Sequence, residues 1–94
     1  MYYLKVIWKH VLRDEPVVIY MELNNNRYEV RKIEVYRDGK VGYAYEHTEI
    51  GESALSEKPI PSIKQIAKDK QFAPNRISKN EFESMWQKYV LKHK

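Results

Sequence analysis

The chain has 94 residues, of which 43% are hydrophobic and 13% aromatic, so it is long enough for one core and too apolar to remain disordered. It contains no cysteine, which excludes disulfides and thiolate zinc sites. The net charge of +4 is spread along the sequence and forms no single basic block, and we predict one domain over residues 1–94.

Two strands are predicted in the first quarter of the chain. Residues 2–10 combine β-branched and aromatic side chains, as strands do. Lys5 and Lys9 interrupt this apolar run, which therefore lacks the features of a secretory signal or a membrane span, and we expect a cytoplasmic protein. Pro16 is acceptable at the start of a second strand, residues 17–23, because proline lacks a ladder donor.

A hairpin is predicted at Asp38-Gly39. Residues 24–26 are all asparagine and form a loop into the third strand, residues 28–37. The Asp-Gly pair suits a two-residue type I′ turn into the fourth strand, and counting from that turn places Val35 opposite Gly42.

Alternation of side chains divides the four strands into two faces. We expect the helices to cover an aliphatic face formed by Leu4, Val6, Trp8, Val17, Ile19, Met21, Leu23, Ile33, Val35, Gly42 and Ala44. The opposite face carries most of the tyrosines and is predicted to be open. The residues predicted to bind a partner are Lys9, Tyr20, Glu22, Lys32, Glu34, Tyr36, Tyr43 and Tyr45.

The second half of the chain is predicted to be helical after a long loop. Residues 47–61 show no sustained period, so this loop is functional, mobile, or contains a short strand. Capping boxes at Ser62 and Ser78 predict two helices, the first ending near residues 72–74. Apolar residues between 82 and 90 follow a helical spacing typical of a core face. The expected fold is α+β: about four antiparallel strands in a meander, then two helices packed on one face.

No pattern in the sequence predicts catalysis, a metal or a cofactor. Residues 46–49 place two carboxylates around His47, with His10 as a further ligand, but the spacing lacks the i, i+4 pairing of a helical zinc motif. Glu22 and Glu34 on an open sheet gain too little desolvation to act as acid and base. Three widely separated glycines exclude a phosphate-binding loop.

Three interpretations of the tyrosine-rich face stay open at this point. It can bind a protein, because tyrosine supplies a large amphipathic contact area. It can bind nucleic acid, with Tyr43 and Tyr45 stacked on bases and phosphates contacted by Lys5, Lys9, Arg31, Lys32 and Arg37. It can also be a stable exposed face without a partner, held by cross-strand pairs.

Several segments together carry a family resemblance. They are Leu4–His10, Glu15-Pro16, Tyr28–Tyr36, the Asp38-Gly39 turn with Val41–Ala44, and Ile77-Ser78 followed by Glu81-Phe82. This pattern resembles the uncharacterised bacterial family called domain of unknown function 6881, from which Asn24–Asn26 departs. The resemblance implies a standalone domain and transfers no catalytic residue. By analogy with small standalone bacterial domains, we expect an immunity protein that binds and neutralises a toxin.

Overall fold

The structure, a computed structural model, describes residues 1–92, and the last two residues of the predicted domain, His93 and Lys94, lie outside the described residues. It confirms the α+β class with an antiparallel sheet, but the sheet has six strands, in the order β5-β4-β3-β2-β1-β6. The elements in chain order are β1 (Tyr2–Trp8), β2 (Val18–Leu23), β3 (Glu29–Val35), β4 (Val41–Tyr45), β5 (Thr48–Ile50), α1 (Ile63–Ile66), β6 (Phe72–Arg76), α2 (Lys79–Trp86) and a π-helical segment (Gln87–Leu91). Within this part of the chain no helix has the length and apolarity needed to cross a membrane.

The predicted four-strand meander gains one strand at each edge. β5 follows β4 within the segment predicted as a loop, and β6 occupies the place where the first helix was expected to end. β6 pairs with β1. The hydrogen bonds from Lys9 N to Gln71 O (2.7 Å) and from Ile77 N to Tyr3 O (2.9 Å) show which residues of this antiparallel ladder form hydrogen-bonded pairs. Pro74 falls at an outward position of that ladder, where a missing donor costs no pairing.

The loop between β3 and β4 has three residues, Arg37–Gly39, and not the two predicted. Tyr36 N donates to Lys40 O at 2.9 Å, and Gly39 N donates to Tyr36 O at 3.0 Å. Gly39 has a φ of 89°, as three-residue hairpin loops with a left-handed final residue require. The register is therefore shifted by one residue, and Val35 lies opposite Val41 and not Gly42.

This register, with that between β2 and β3, defines a helix face of the sheet that carries Tyr3, Tyr20, Ile33 and Tyr43. α2 and the π-helical segment pack on it through Phe82, Trp86 and Val90, which are all buried. The predicted apolar stripe of the second helix is thus confirmed as core. Ser78 caps α2 by accepting the amide of Glu81 at 3.0 Å, and at Ser62 both halves of the predicted capping box are present.

The opposite side, the loop face, carries Leu4, Val6, Met21 and Leu23 in a second buried cluster. Ile63 and Ile66 of α1 pack on this cluster together with Ile60 and Phe72. The two helices therefore lie on opposite faces, and the prediction that both pack on one face is wrong. The aliphatic set expected on a single face is divided in the same way, because Ile33 and Val35 belong to the helix face.

The segment after β5 lies across β3 and β4 on the loop face. Lys32 Nζ donates to Ala54 O at 3.2 Å, Ser56 N donates to Glu29 at 2.6 Å, and Ser53 Oγ donates to Glu34. Farther along, Arg27 donates to the carbonyl oxygens of Ile60 and Pro61 at 2.8 and 2.6 Å. The segment predicted as a long loop is thus fastened to the sheet at several points.

Gly42 makes this close packing possible. A Cβ at this position would lie 2.7 Å from Ser53 Oγ and 3.1 Å from the carbonyl oxygen of Ile50, so any larger residue forces the segment outward. Gly51, with a φ of 71°, makes the turn that brings the chain back over β4.

Candidate interaction surface

The structure does not bring the eight predicted partner-binding residues onto one open face. Tyr20, Glu22, Tyr43 and Tyr45 lie on the helix face, beneath α2 and the π-helical segment, whereas Lys32, Glu34 and Tyr36 lie toward the loop face. Lys9 is exposed at the end of β1. The predicted open tyrosine face is therefore wrong as a description of the surface, because the one-residue register shift and the opposite placement of the helices cover it.

Glu22 belongs to a partly buried ionic network that fastens α2 to the sheet. Arg31 Nε donates to Glu22 Oε1 at 2.6 Å, and the two terminal nitrogens of Arg31 donate to the carboxylate of Glu83, both at 2.9 Å. Tyr3 donates its hydroxyl to Glu22 at 3.0 Å. Burial disfavours the charge on Arg31, but hydrogen bonds to the two carboxylates outweigh it and raise the pKa of Arg31 above its ordinary value. Glu22 is therefore held inside the domain by Tyr3 and Arg31 and contributes to its stability.

The tyrosines of the helix face pack against the aromatic residues of α2 and the π-helical segment. The rings of Tyr43 and Tyr45 meet Trp86 edge-on, with centroids 6.1 and 5.3 Å away. Tyr20 lies 6.3 Å from Tyr89, and burial raises the pKa of Tyr20, with smaller contributions from Tyr89 and Glu81. Tyr20 is buried, whereas Tyr43, Tyr45 and Tyr89 pack within the domain and keep only part of their surface exposed, which leaves little room for bases to stack.

One end of the helix face is only partly covered: its three valines pack against the core cluster but keep part of their surface exposed. We call this the open end; it is the cross-strand row of Ile7, Val18, Val35 and Val41. Ile7 is 37% exposed and the three valines are half-buried. The row consists of four β-branched side chains side by side on adjacent strands, which makes a continuous apolar strip.

A recess of about 310 Å³ adjoins the open end and is lined by Gly39, Val41, Tyr43, Ile50 and Tyr89. Its wall combines the tip of the β3–β4 hairpin, strand β5 and the π-helical segment. Ile50, at the free edge of the sheet, is 43% exposed. Nearly half of the surface that lines the recess is polar.

Charged side chains of both signs lie near the open end. Lys5 lies on β1, Lys9 follows Trp8 at its end, and Arg37 shares the hairpin loop with Asp38. Lys88 projects from the π-helical segment, with its Nζ 5.0 Å from the centroid of the Tyr89 ring. Lys9 is among the residues predicted to bind a partner, and the three valines are not. The sequence signal for this row is the register of a three-residue hairpin loop, which aligns Val18, Val35 and Val41 on adjacent strands.

A second cleft, of about 620 Å³, lies near Tyr36 and is lined by Arg13, Asp14, Tyr36, Asp38, Lys40, Val41, Gly42, Gly51 and Glu52. Burial raises the pKa of Tyr36, and Glu34, Glu52 and Glu15 add smaller contributions in the same direction. Acidic and basic groups alternate around this cleft. Their mixture favours no ligand charge, so the cleft is a weaker candidate than the open end.

The groups considered for metal binding and acid–base chemistry are separated. Among residues 1–92, no three His, Asp or Glu side chains are grouped closely enough to hold a metal ion. His10 instead makes two hydrogen bonds: its Nε2 donates to Pro16 O at 2.7 Å, and its Nδ1 accepts the amide of Leu12 at 2.9 Å. Glu22 and Glu34 lie on opposite faces of the sheet, each bound to its own partners.

Fold and surface together define a small α+β domain in which an antiparallel sheet carries a helix on each face and one apolar row at its end. The chain belongs to the family described as Domain of unknown function (DUF6881), whose model matches residues 2–91. The resemblance noted from the strand and turn segments is thereby confirmed. No curated protein and no solved structure gives a significant match. The family description assigns no activity.

Proposed function

We propose that this domain is a non-catalytic protein-binding module that contacts its partner through the open end of the helix face. The observation that supports the proposal is the row of Ile7, Val18, Val35 and Val41, an apolar strip in which Ile7 is exposed and the three valines are half-buried against the core. Contiguous apolar surface that solvent reaches is characteristic of interaction sites, whereas isolated apolar residues are common everywhere.

The narrower form of the proposal is an immunity protein that resides in the cytoplasm and neutralises a cognate toxin. Its support is the analogy with small standalone bacterial domains, and family membership adds no activity that argues for or against it. The open end offers such an inhibitor a surface for binding without any chemistry of its own.

Nucleic-acid binding is less well supported, because Tyr43 and Tyr45 contact Trp86 within the domain. A nucleic-acid ligand would need another stacking surface. Lys5, Lys9 and Arg37 could still contact phosphates, so salt dependence has to be measured. Affinity for a polyanion falls steeply with salt, whereas an apolar contact persists.

An immunity protein and its toxin are expected to be encoded side by side, so the test uses the protein encoded by the gene next to that of this chain, here called the neighbour. Its binding to this chain is measured by isothermal titration calorimetry with purified proteins. Ile7→Glu places a charge in the row and should weaken binding by at least about tenfold, because charge is excluded from interface centres. Tyr28→Glu is the matched control: Tyr28 is 41% exposed, similar to Ile7, and lies at the other end of the sheet. It should leave binding unchanged.

Circular dichroism should show the same fold for both variants, since both positions are partly exposed. The proposal fails if the neighbour does not bind, or if it binds and Ile7→Glu has no greater effect than Tyr28→Glu. Loss of the neighbour's toxicity on co-expression, and its return with Ile7→Glu, would support the immunity form specifically. Tight binding without any toxicity would refute that form alone.

A further inference from the structure

We propose that a basic surface on the loop face binds the phosphate backbone of duplex nucleic acid. Its cations come from the loop before β3, from the segment before α1, from α1 and the turn after it, and from the end of β6; they are Arg27, Lys58, Lys64, Lys68, Lys70 and Arg76. The open end lies on the helix face, so the basic surface is available to a second ligand and does not depend on the protein partner.

The chain contains no continuous basic block, but its excess of positive charge is concentrated in this part of the molecule. Of the 17 basic and 13 acidic residues, five and one lie within residues 58–76, which leaves twelve of each elsewhere. The structure places this stretch on the loop face, because Ile63, Ile66 and Phe72 pack on the buried cluster there. All five of its basic side chains are exposed to solvent. The fold therefore gathers the net charge of +4 on one side of the sheet.

Two guanidinium groups are held at one end of the basic surface by the ring of Tyr2. The Cζ atoms of Arg27 and Arg76 lie 5.7 and 5.6 Å from the centroid of that ring. Arg27 also donates to the carbonyl oxygens of Ile60 and Pro61, at 2.8 and 2.6 Å. An aromatic ring and carbonyl oxygens position a guanidinium without cancelling its charge, and a positioned guanidinium matches the geometry of a phosphate group.

Few carboxylates oppose these cations. None of the six takes part in the salt bridges found among residues 1–92. Glu57 and Asp69 adjoin the basic surface and reduce its charge; Asp69 Oδ1 accepts the amide of Gln71 at 3.0 Å. Glu29, on the same face, is buried and paired with Lys32 at 3.0 Å. Six cations against two carboxylates at the surface leave an excess of positive charge, which attracts a polyanion.

The polar character of the basic surface favours a duplex over other polyanions. Among residues 58–76 no large apolar side chain is exposed, and the ring of Phe72 is stacked on Trp8 with their centroids 5.5 Å apart. Protein interfaces are apolar at their centre, and single-stranded nucleic acids are held by exposed aromatic rings. A duplex presents its phosphates outward and is held largely by cations and hydrogen-bond donors, so it needs neither feature.

The experiment titrates the whole chain into fluorescein-labelled duplex DNA of two unrelated sequences and follows the fluorescence anisotropy. Both duplexes should bind equally, with a Kd of roughly 10⁻⁶ to 10⁻⁴ M, because phosphate contacts carry no sequence information. The logarithm of the affinity should fall linearly with the logarithm of the salt concentration, by about 0.9 for each phosphate contact.

A pair of double variants tests where the duplex binds. Lys64→Glu with Lys68→Glu should weaken binding at least about tenfold and reduce the salt slope by about 2, since each lost phosphate contact removes about 1. Lys88→Glu with Lys92→Glu is the matched control, because it makes the same charge change at the same spacing on the exposed side of the π-helical segment. It should weaken binding less than about twofold, because charges on the other face are screened. All four lysines are exposed, so circular dichroism should show the same fold for both variants.

Several outcomes would overturn the proposal: no binding of the duplex at low salt, equal weakening by the two double variants, or tighter binding of oligothymidylate, polyglutamate or phosphatidylglycerol vesicles than of the duplex. The last three would assign the surface to a single strand, an acidic protein or a membrane. The neighbour keeps the two surfaces apart. Lys64→Glu with Lys68→Glu should bind it as wild type does, and Ile7→Glu should bind the duplex as wild type does, so either surface can fail while the other stands.

Discussion

Replacing Arg31 with methionine should destabilise the domain by about 2–4 kcal/mol, because it leaves the carboxylate of Glu22 buried without its cation. The side chain of Glu22 is 8% exposed and that of Arg31 is 18% exposed. Breaking a buried ion pair costs roughly 3–5 kcal/mol, and we place the expected loss below that range because solvent reaches part of the guanidinium. The packing of the Arg31 guanidinium on Phe82 and Trp86 is lost as well; its Cζ lies 4.9 Å from the centroid of each ring.

Thermal unfolding followed by circular dichroism measures this loss directly. For a domain of this size, the expected destabilisation corresponds to a fall in Tm of at least roughly 10 °C. Glu83→Gln is the internal comparison: its side chain is 40% exposed, so removing that half of the network should cost less than about 1 kcal/mol.

A double variant separates the cost of an orphaned charge from the loss of packing. Glu22→Gln keeps an acceptor for the hydroxyl of Tyr3 and removes the buried charge. Glu22→Gln combined with Arg31→Met should therefore be more stable than Arg31→Met alone. Equal losses for Arg31→Met and Glu83→Gln, or a double variant whose loss is the sum of the single ones, would refute the reasoning.

Three further predictions concern Glu83, Glu46 and Gly42. The hydrogen bond from Arg31 lowers the pKa of Glu83, and burial opposes this effect. The carboxylate therefore stabilises the fold above the ordinary pKa of 4.5, and this stabilisation is lost as the pH falls through the lower pKa of the folded state. In urea unfolding, the difference in stability between wild type and Glu83→Gln should shrink as the pH falls through that range. Glu46 has a φ of 48° in the loop between β4 and β5, so Glu46→Gly should raise Tm, and His47→Gly should lower it. Gly42→Ala should cost about 1–3 kcal/mol in urea unfolding, and adding Ser53→Gly should restore part of that loss.

The elements that could be predicted from the sequence are those with strong local signals. β1 to β4 follow clusters of β-branched and aromatic residues, and the starts of both helices follow Ser62 and Ser78. β6 could not be predicted, because the sequence around Pro74 has no strand pattern and its conformation is set by pairing with β1. The early end of α1 has the same origin, since the chain turns into this strand.

The register could not be predicted because both faces of β4 are covered. Val41, Tyr43 and Tyr45 pack toward α2, whereas Gly42 and Ala44 are buried beneath the segment that follows β5. When one face is solvated, the polar side chains identify it, but here neither set of β4 is polar. Asp-Gly is compatible with a two-residue turn and with the last two positions of a three-residue loop, so the turn did not decide between them.

This one-residue difference determines which side chains of the sheet the second helix covers. A two-residue loop would have placed Tyr43 and Tyr45 on the face opposite Val35, where they could meet a ligand; the three-residue loop places them with Val35 on the helix face, where Trp86 contacts both rings. The middle of the helix face is thereby used for stability. At the end of that face, Val18, Val35 and Val41 pack against the same core cluster and keep part of their surface exposed, and in the proposed function this partly exposed row is what meets a partner.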